Sequence, residues 1–161
     1  FRNTIIVLTS NIGSEEFSKN AMGFLRGKKG EVAFDATKKN VLGALKETMR
    51  PELLNRLDHI LTFNPLDEKA LAQIAALELE ALAKRIKKEK NITVDTGAGV
   101  AKYIAEKSQN PREGARLVRR TVAEEIEYPI ASLIVSDQVK SGDSIALEIK
   151  KNKINVRPNS G

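Results

Sequence analysis

Two polar side chains in the first part of the chain could act on a phosphate group. Asn11 follows the apolar run 3–9, and an amide beyond the carboxyl end of a buried strand can orient a water molecule or a phosphate oxygen. Arg56 carries a planar, permanently charged guanidinium that suits a developing phosphoryl charge. Each residue also has a simpler interpretation. Asn is common in turns, and Arg56 could form an ion pair with Asp58 or Glu52.

A third candidate contact for an anion lies in the sequence Pro-Arg-Glu-Gly-Ala-Arg at residues 111–116. Pro111 predicts the start of a helix, where free backbone amides and the helix dipole attract anions. Gly114 and Ala115 are small enough for a ligand to approach, and Arg116 would reach toward its phosphates. The alternative is an arginine that is simply solvated on an exposed first turn.

Composition excludes several other kinds of site. The 161 residues include no Cys and one His, so the chain holds no disulfide, thiolate metal site or cysteine nucleophile. His59 alone cannot build a His-based zinc site or a Ser-His-Asp triad, and we expect no metal site. The longest apolar stretch is far shorter than the roughly 20 residues that cross a bilayer, and the N-terminus does not resemble a signal peptide. We therefore expect an intracellular protein without membrane contact.

The formal net charge of +6 raises nucleic acid as a partner, but the excess is spread evenly along the chain. A basic run occupies residues 84–90, with no aromatic platform or reading motif nearby. We interpret it as the solvated end of a helix, where cations face the negative pole of the dipole. A non-enzymatic nucleic-acid-binding module stays open as the alternative, although we expect no nucleic acid partner.

Apolar patterns predict the elements that would position these side chains. In residues 1–65, the β-branched run 3–9 predicts a strand buried on both faces of a parallel sheet. Residues 36–49 predict a helix and residues 60–63 a second short strand, ending near a hinge at Pro65. We expect an incomplete α/β unit, because so few elements cannot cover a parallel sheet.

Residues 66–161 predict a helix-rich α+β unit. Its strongest element is a helix over residues 67–90, with one apolar stripe made of Leu71, Ala75, Leu79, Leu82 and Ile86. Further spacing predicts a strand at residues 92–94 and helices at 96–107, 111–126 and 129–135. Alternation over 144–149, a turn at Lys151-Asn152 and a return through Ile154 and Val156 predict a closing β-hairpin.

The order of these motifs resembles the second ATPase module of the Clp/Hsp100 AAA+ unfoldases over essentially the whole chain. The resemblance rests on Asn-Thr-Ile-Ile-Val-Leu-Thr-Ser-Asn, then Arg-Pro-Glu-Leu-Leu-Asn-Arg-Leu-Asp, then Phe-Asn-Pro-Leu, then Gly-Ala-Arg. It implies that residues 1–65 are the C-terminal portion of the AAA+ large α/β subdomain and residues 66–161 the small (lid) domain. It also implies that Asn11 is sensor 1, Arg56 an arginine finger acting in trans, and Arg116 sensor 2.

The same resemblance implies an ATP-dependent protein unfoldase that works as a homo-hexamer on unfolded protein substrates, with ATP and Mg²⁺ in the full-length protein. It implies a bacterial cytoplasm, or an equivalent organellar matrix or stroma. The sequence contains no Gly-x-x-x-x-Gly-Lys-[Ser/Thr] loop and no strand that ends in Asp-Glu. We therefore expect a fragment that does not hydrolyse ATP alone and binds no nucleotide tightly.

Family members divide by whether they deliver substrate to the ClpP peptidase. ClpC- and ClpA-like members carry an aliphatic-Gly-aliphatic/aromatic tripeptide after sensor 1, and Met22-Gly23-Phe24 stands in that place. An exposed Met and Phe flanked by Gly would make an apolar anchor for the peptidase. We interpret the protein as ClpC/ClpA-like. The alternatives are that Met22 and Phe24 fold back onto the domain, or that the protein is a ClpB-like disaggregase without a peptidase partner.

Overall fold

The chain divides into two units in the computed structural model, which describes residues 3–12, 30–63, 66–110 and 113–159. Unit 1 is Phe1–Pro65 and unit 2 is Leu66–Gly161. Unit 1 contains helix α1, Gly30–Thr48, and the short helix α2, Pro51–Leu54.

Unit 2 contains four α-helices, one π-helical turn and three strands in the part of the chain that the structure describes. In chain order these are α3 (Glu68–Lys90), β1 (Thr93–Thr96), α4 (Val100–Lys107), α5 (Ala115–Val122), the π turn (Ala123–Glu127), α6 (Tyr128–Val135), β2 (Ser144–Lys150) and β3 (Lys153–Asn159).

Unit 1 differs from the predicted α/β arrangement. The strands predicted for residues 3–9 and 60–63 are absent, and the described residues of this unit contain no strand. Ile5 is 93% exposed and Leu61 is 81% exposed, so neither run is buried. An apolar, β-branched run favours a strand, but a strand exists only when neighbouring strands accept its hydrogen bonds. The helix predicted for residues 36–49 is present as α1, which begins earlier, at Gly30.

Helix α3 forms as predicted, because its two caps and its apolar stripe define the same run of residues. The Asp67 side chain accepts a hydrogen bond from the Ala70 amide at 2.7 Å and caps the first turn. Asn91 ends the helix in the left-handed conformation, with φ of 57°. The whole predicted stripe is buried: Leu71, Ala75, Leu79, Leu82 and Ile86.

The sheet has the strand order β1-β2-β3, with β1 parallel to β2 and β2 antiparallel to β3. The predicted hairpin is confirmed, and its two-residue turn holds Lys151 and Asn152 at φ of 50° and 57°. Positive φ at both turn positions matches the twist of the flanking strands. Next to β1, a Cβ on Gly97 would lie 2.5 Å from the Leu147 carbonyl oxygen, so only glycine fits this close approach.

The buried core of the described chain lies entirely in unit 2. Helices α3 to α6 and the π turn pack with one face of the sheet around Ile104, Ile126, Ile130 and Ile145, each at most 2% exposed. None of the described helices is long and apolar enough to span a bilayer.

Helix α5, the π turn and α6 follow each other without a break, where the sequence predicts two separate helices. Pro129 has no amide hydrogen for the bond four residues back. The Tyr128 amide instead donates to the Ala123 carbonyl, five residues back, which is the π-helical pattern. Two ion pairs support this turn from outside: Arg85 with Glu127 at 2.6 Å, and Lys107 with Glu125.

Candidate functional site

Asn11 lies on an exposed segment, and its neighbour forms the local turn. The Ser10 hydroxyl accepts the Ile12 amide at 3.1 Å. Within the described ranges, the Asn11 side chain makes no hydrogen bond. The side-chain hydrogen bond of this turn therefore comes from Ser10 and not from Asn11.

Arg56 lies in the turn that follows α2. Its amide donates to the Leu53 carbonyl at 3.1 Å, so the backbone there is fixed by the end of the helix. The side chain is exposed. The alternative ion pair with Asp58 or Glu52 does not form, and no other described carboxylate pairs with Arg56. Within the described ranges, the Arg56 guanidinium therefore has no anionic partner.

Helix α5 begins at Ala115, and its N-cap is Gly114, whose φ of 51° and ψ of −132° disfavour residues with a Cβ. The amides of Arg116 and Leu117 donate to the carbonyls of Glu113 and Gly114, at 3.1 and 3.2 Å. These two donors are therefore not free for an anion, which differs from the prediction for this helix start. An anion at this position would depend mainly on the Arg116 side chain.

Three arginines on α5 differ in their partners. Arg119 pairs with Glu78 at 2.7 Å, and Arg120 pairs with Glu113 at 3.0 Å. Arg116 is exposed and forms no ion pair with any residue of the described ranges. Glu113, the acidic residue nearest to Arg116 in sequence, pairs with Arg120 instead.

The loop between α4 and α5 is fixed at several points. Gln109 donates to the Glu68 carboxylate at 3.4 Å, and the Gly114 amide donates to the Asn110 carbonyl at 3.0 Å. The Asn110 amide side chain also reaches Glu113, at 3.4 Å. These contacts hold the start of α5 against α3 and α4.

Ion pairs on the surface of unit 2 shift the pKa of three groups. A hydrogen bond from Lys84 lowers the pKa of Glu80, and hydrogen bonds from Arg157 and Lys150 lower that of Glu148. The Glu125 carboxylate raises the pKa of Lys107. None of these groups belongs to the candidate site, so the shifts concern stability.

The candidate residues are brought together only in part. Gly114, Ala115 and Arg116 lie side by side at the start of α5, whereas Asn11 and Arg56 belong to unit 1 and are not joined by a hydrogen bond. Met22-Gly23-Phe24 lies outside the described residues.

The basic run 84–90 forms the last turns of α3. Within it, Arg85 pairs with Glu127 and Lys87 donates to the Thr93 hydroxyl at 3.2 Å. Part of its charge is thus bound within unit 2, which fits the helix-end interpretation.

Sequence reasoning missed two buried hydroxyl side chains, Ser108 at the end of α4 and Thr121 in the last turn of α5. Ser and Thr are common on surfaces, so no spacing in the sequence distinguishes a buried pair.

Two family models match the chain. A model of the C-terminal, D2-small domain of ClpB protein matches residues 66–147, and a model of the AAA domain (Cdc48 subfamily) matches residues 1–60. The match over residues 66–147 includes the start of α5 and most of the core.

Relatives named chaperone protein ClpB match most of the chain. The relative from Meiothermus ruber is 35% identical over 142 residues, covering 88% of this chain and 16% of the relative. The relative from Tropheryma whipplei (strain TW08/27) is 35% identical over 159 residues, covering 98% and 21%. The chain spans about a sixth to a fifth of the length of these curated relatives. The chain therefore belongs to the Clp/Hsp100 AAA+ family, and residues 66–147 are a C-terminal D2-small domain homologous to that of ClpB.

Proposed function

We propose that this chain supplies nucleotide-sensing and intersubunit residues to a full-length, ATP-driven protein unfoldase. One observation carries the proposal: Arg116 has an exposed guanidinium without an ion pair among the described residues, at the first turn of α5 in the D2-small domain. The other two arginines of that helix are paired. An exposed arginine without an ion pair, next to arginines that have one, is available for an anionic ligand.

Sensor 2 is the role that we assign to Arg116, with Gly114 and Ala115 beside it. Its guanidinium contacts the phosphates of the nucleotide bound by its own subunit. Gly114 supports this role by giving the chain the positive φ from which α5 starts. ATP with Mg²⁺ is the substrate of the full-length protein, and this chain orients and senses it without itself hydrolysing it.

In this proposal, Arg56 acts as the arginine finger and Asn11 as sensor 1. Both are exposed polar side chains without a partner in the described part of unit 1. A finger acts on the nucleotide of the next subunit, so activity requires a ring, which we propose is a homo-hexamer. Hydrolysis in this ring drives unfolding of protein substrates.

Kinetics of the full-length protein separate the two arginine roles. For Arg56→Ala, we expect kcat for ATP to fall by about 10³-fold or more while nucleotide affinity stays near the wild-type value. For Arg116→Ala, we expect weaker binding of a fluorescent ADP analogue, because this guanidinium contacts the nucleotide in the ground state. Steady-state ATPase rates and equilibrium titrations measure the two effects.

Arg119→Ala is the matched control, because Arg119 lies on the same helix and pairs with Glu78. We expect this variant to retain both affinity and turnover. Normal ATP turnover in Arg56→Ala would contradict the finger assignment. Normal nucleotide affinity in Arg116→Ala would show that Arg116 is only a solvated surface residue.

The partner of the ring has two candidates. Delivery to a ClpP-type peptidase, as in ClpC- and ClpA-like members, is favoured by the tripeptide Met22-Gly23-Phe24, which suits an apolar anchor. A ClpB-like disaggregase without a peptidase is favoured by relatives that are named chaperone protein ClpB.

Replacing residues 22–24 by Gly-Gly-Gly distinguishes these candidates in the full-length protein. If the tripeptide is the anchor, degradation of an unfolded substrate with a ClpP-type peptidase is lost while ATPase activity persists. If the wild-type protein never supports degradation but does recover aggregated protein, the disaggregase is the correct candidate.

A further inference from the structure

Ser108 and Thr121 form a buried hydroxyl pair between α4 and α5. Ser108 is 0% exposed and Thr121 is 7% exposed, and they are the two buried polar side chains in the ranges that the structure describes. The Ser108 hydroxyl donates to the Thr121 hydroxyl oxygen at 3.2 Å. The Thr121 hydroxyl donates in turn to the Leu117 carbonyl at 2.8 Å. The pair therefore connects the end of α4 to the last turn of α5, and the bond to Leu117 lies within α5 itself.

The direction of these hydrogen bonds is fixed by their partners. Because the Thr121 proton is bound to the Leu117 carbonyl, the Thr121 oxygen acts as an acceptor toward Ser108. Ser108 is itself held in place as the cap of α4, since its amide donates to the carbonyls of Ile104 and Ala105 at 3.0 and 3.1 Å. A helix end thus provides a fixed donor for a single side chain of the next helix.

Apolar packing restrains the rotation of α5 less specifically than a directional hydrogen bond does. Val118 and Val122 are buried in the core, but hydrophobic contacts have no preferred direction. If α5 turned about its axis, Thr121 would keep its bond to Leu117, but the buried Ser108 hydroxyl would lose its acceptor, so the pair favours the observed rotation.

Rotation of α5 determines where Arg116 points. Arg116 precedes Thr121 by five residues, and helix geometry places it about 140° around the axis. Thr121 faces the core, so Arg116 faces solvent, as its exposure shows. A small rotation displaces the guanidinium the most, because it lies at the end of a long side chain.

We propose that the Ser108–Thr121 pair is a positioning device that fixes the rotation of α5 and so orients the Arg116 guanidinium toward nucleotide phosphate. Both are positioning residues, since they act through Arg116 and not by contact with the nucleotide. The inference depends on the sensor 2 role proposed above.

Thr121→Val tests the pair in the full-length protein, because it removes the hydroxyl while nearly preserving the shape of the side chain. We expect the affinity for a fluorescent ADP analogue with Mg²⁺ to fall by about three- to tenfold, which corresponds to the net effect of one hydrogen bond. Thr121→Ser keeps the hydroxyl, so its affinity for the ADP analogue should stay near the wild-type value. Ser108→Ala should match Thr121→Val from the other side of the contact.

Two further variants separate positioning from stability. Val122→Ala leaves a cavity in the same helix without removing a hydrogen bond, so the thermal midpoint should fall while nucleotide affinity stays unchanged. In the Arg116→Ala background, Thr121→Val should cause no additional loss of affinity, because the group that it orients is gone.

Three results would overturn the inference, and they differ in whether the sensor 2 proposal survives. If Arg116→Ala weakens binding but Thr121→Val does not, the pair has no positioning role and the sensor 2 proposal stands. If Val122→Ala weakens binding as much as Thr121→Val, the effect is general destabilisation. If Arg116→Ala leaves affinity unchanged, the sensor 2 proposal fails and the positioning role fails with it.

Discussion

Both units contain apolar runs, but those of unit 2 are buried and those of unit 1 are exposed. In unit 2, apolar residues recur at helical spacing and are buried against neighbours from the same unit, as Leu71 and Ile104 are. In unit 1, Ile5 and Leu61 belong to equally apolar runs but remain exposed. An apolar pattern therefore forms structure only where its packing or hydrogen-bonding partner is present.

Hydrogen exchange should show the largest contrast between the units. In the 161-residue chain, the amides of Ile6 and Val7 have no hydrogen-bond partner within the described ranges, so we expect exchange at nearly the unprotected rate. The amides of the central strand β2 should exchange only on global unfolding, about 10³-fold slower or more. Exchange followed by NMR measures both. Equal protection in the two segments would contradict the comparison.

Removal of core side chains gives the next largest effect. Ile104→Ala removes a fully buried side chain and should lower the free energy of unfolding by about 2–5 kcal/mol. Leu61→Ala removes an exposed side chain of similar size and should change it by no more than about 0.5 kcal/mol. Urea denaturation followed by circular dichroism measures both variants. Similar losses would show that the apolar runs of unit 1 also contribute to folding.

The pH dependence of stability should give a smaller effect, confined to unit 2. Arg157 and Lys150 hold the pKa of Glu148 below its ordinary value of 4.5, so folding favours the ionised carboxylate. The stabilisation is complete above pH 4.5 and is lost as the pH falls through the lowered pKa. Glu148→Gln should therefore differ from the wild type in urea midpoint at pH 7 more than at pH 3.

Glu89→Gln controls for the general effect of acid, because Glu89 is exposed on α3 and forms no ion pair in the described part of the chain. Its difference from the wild type should change less between pH 7 and pH 3 than that of Glu148→Gln. If Glu148→Gln behaved in the same way, the ion pair with Arg157 would contribute nothing to folding.

Sequence reasoning succeeded where an element is complete within the chain. Helix α3 has its own cap at Asp67, its own stripe and its own end at Asn91, so its bounds follow from side-chain chemistry. The hairpin turn at Lys151-Asn152 is equally local. Strand predictions at residues 3–9 and 60–63 failed because strand pairing is set by partners distant in sequence, which a local pattern does not contain.

The candidate site was predictable in its residue types but not in its contacts. The position of Arg116 after Gly114 follows from the sequence, whereas the pairing of Glu113 with Arg120, and the absence of an ion pair at Arg116 among the described residues, depend on the folded structure. The Ser108–Thr121 pair could not be predicted either, because a buried hydroxyl contact depends on how two helices cross.

Mixed rings test the central claim most directly, because Arg56 is proposed to act on the neighbouring subunit's nucleotide and Arg116 on its own. Full-length Arg56→Ala and Arg116→Ala subunits are mixed in equal amounts, and ATPase activity is compared with that of each variant alone. Random mixing gives about one site in four with both arginines intact, formed by an Arg56→Ala pocket beside an Arg116→Ala neighbour. We predict turnover clearly above the mean of the two unmixed variants. Turnover equal to that mean would contradict the assignment of the two arginines to different subunits.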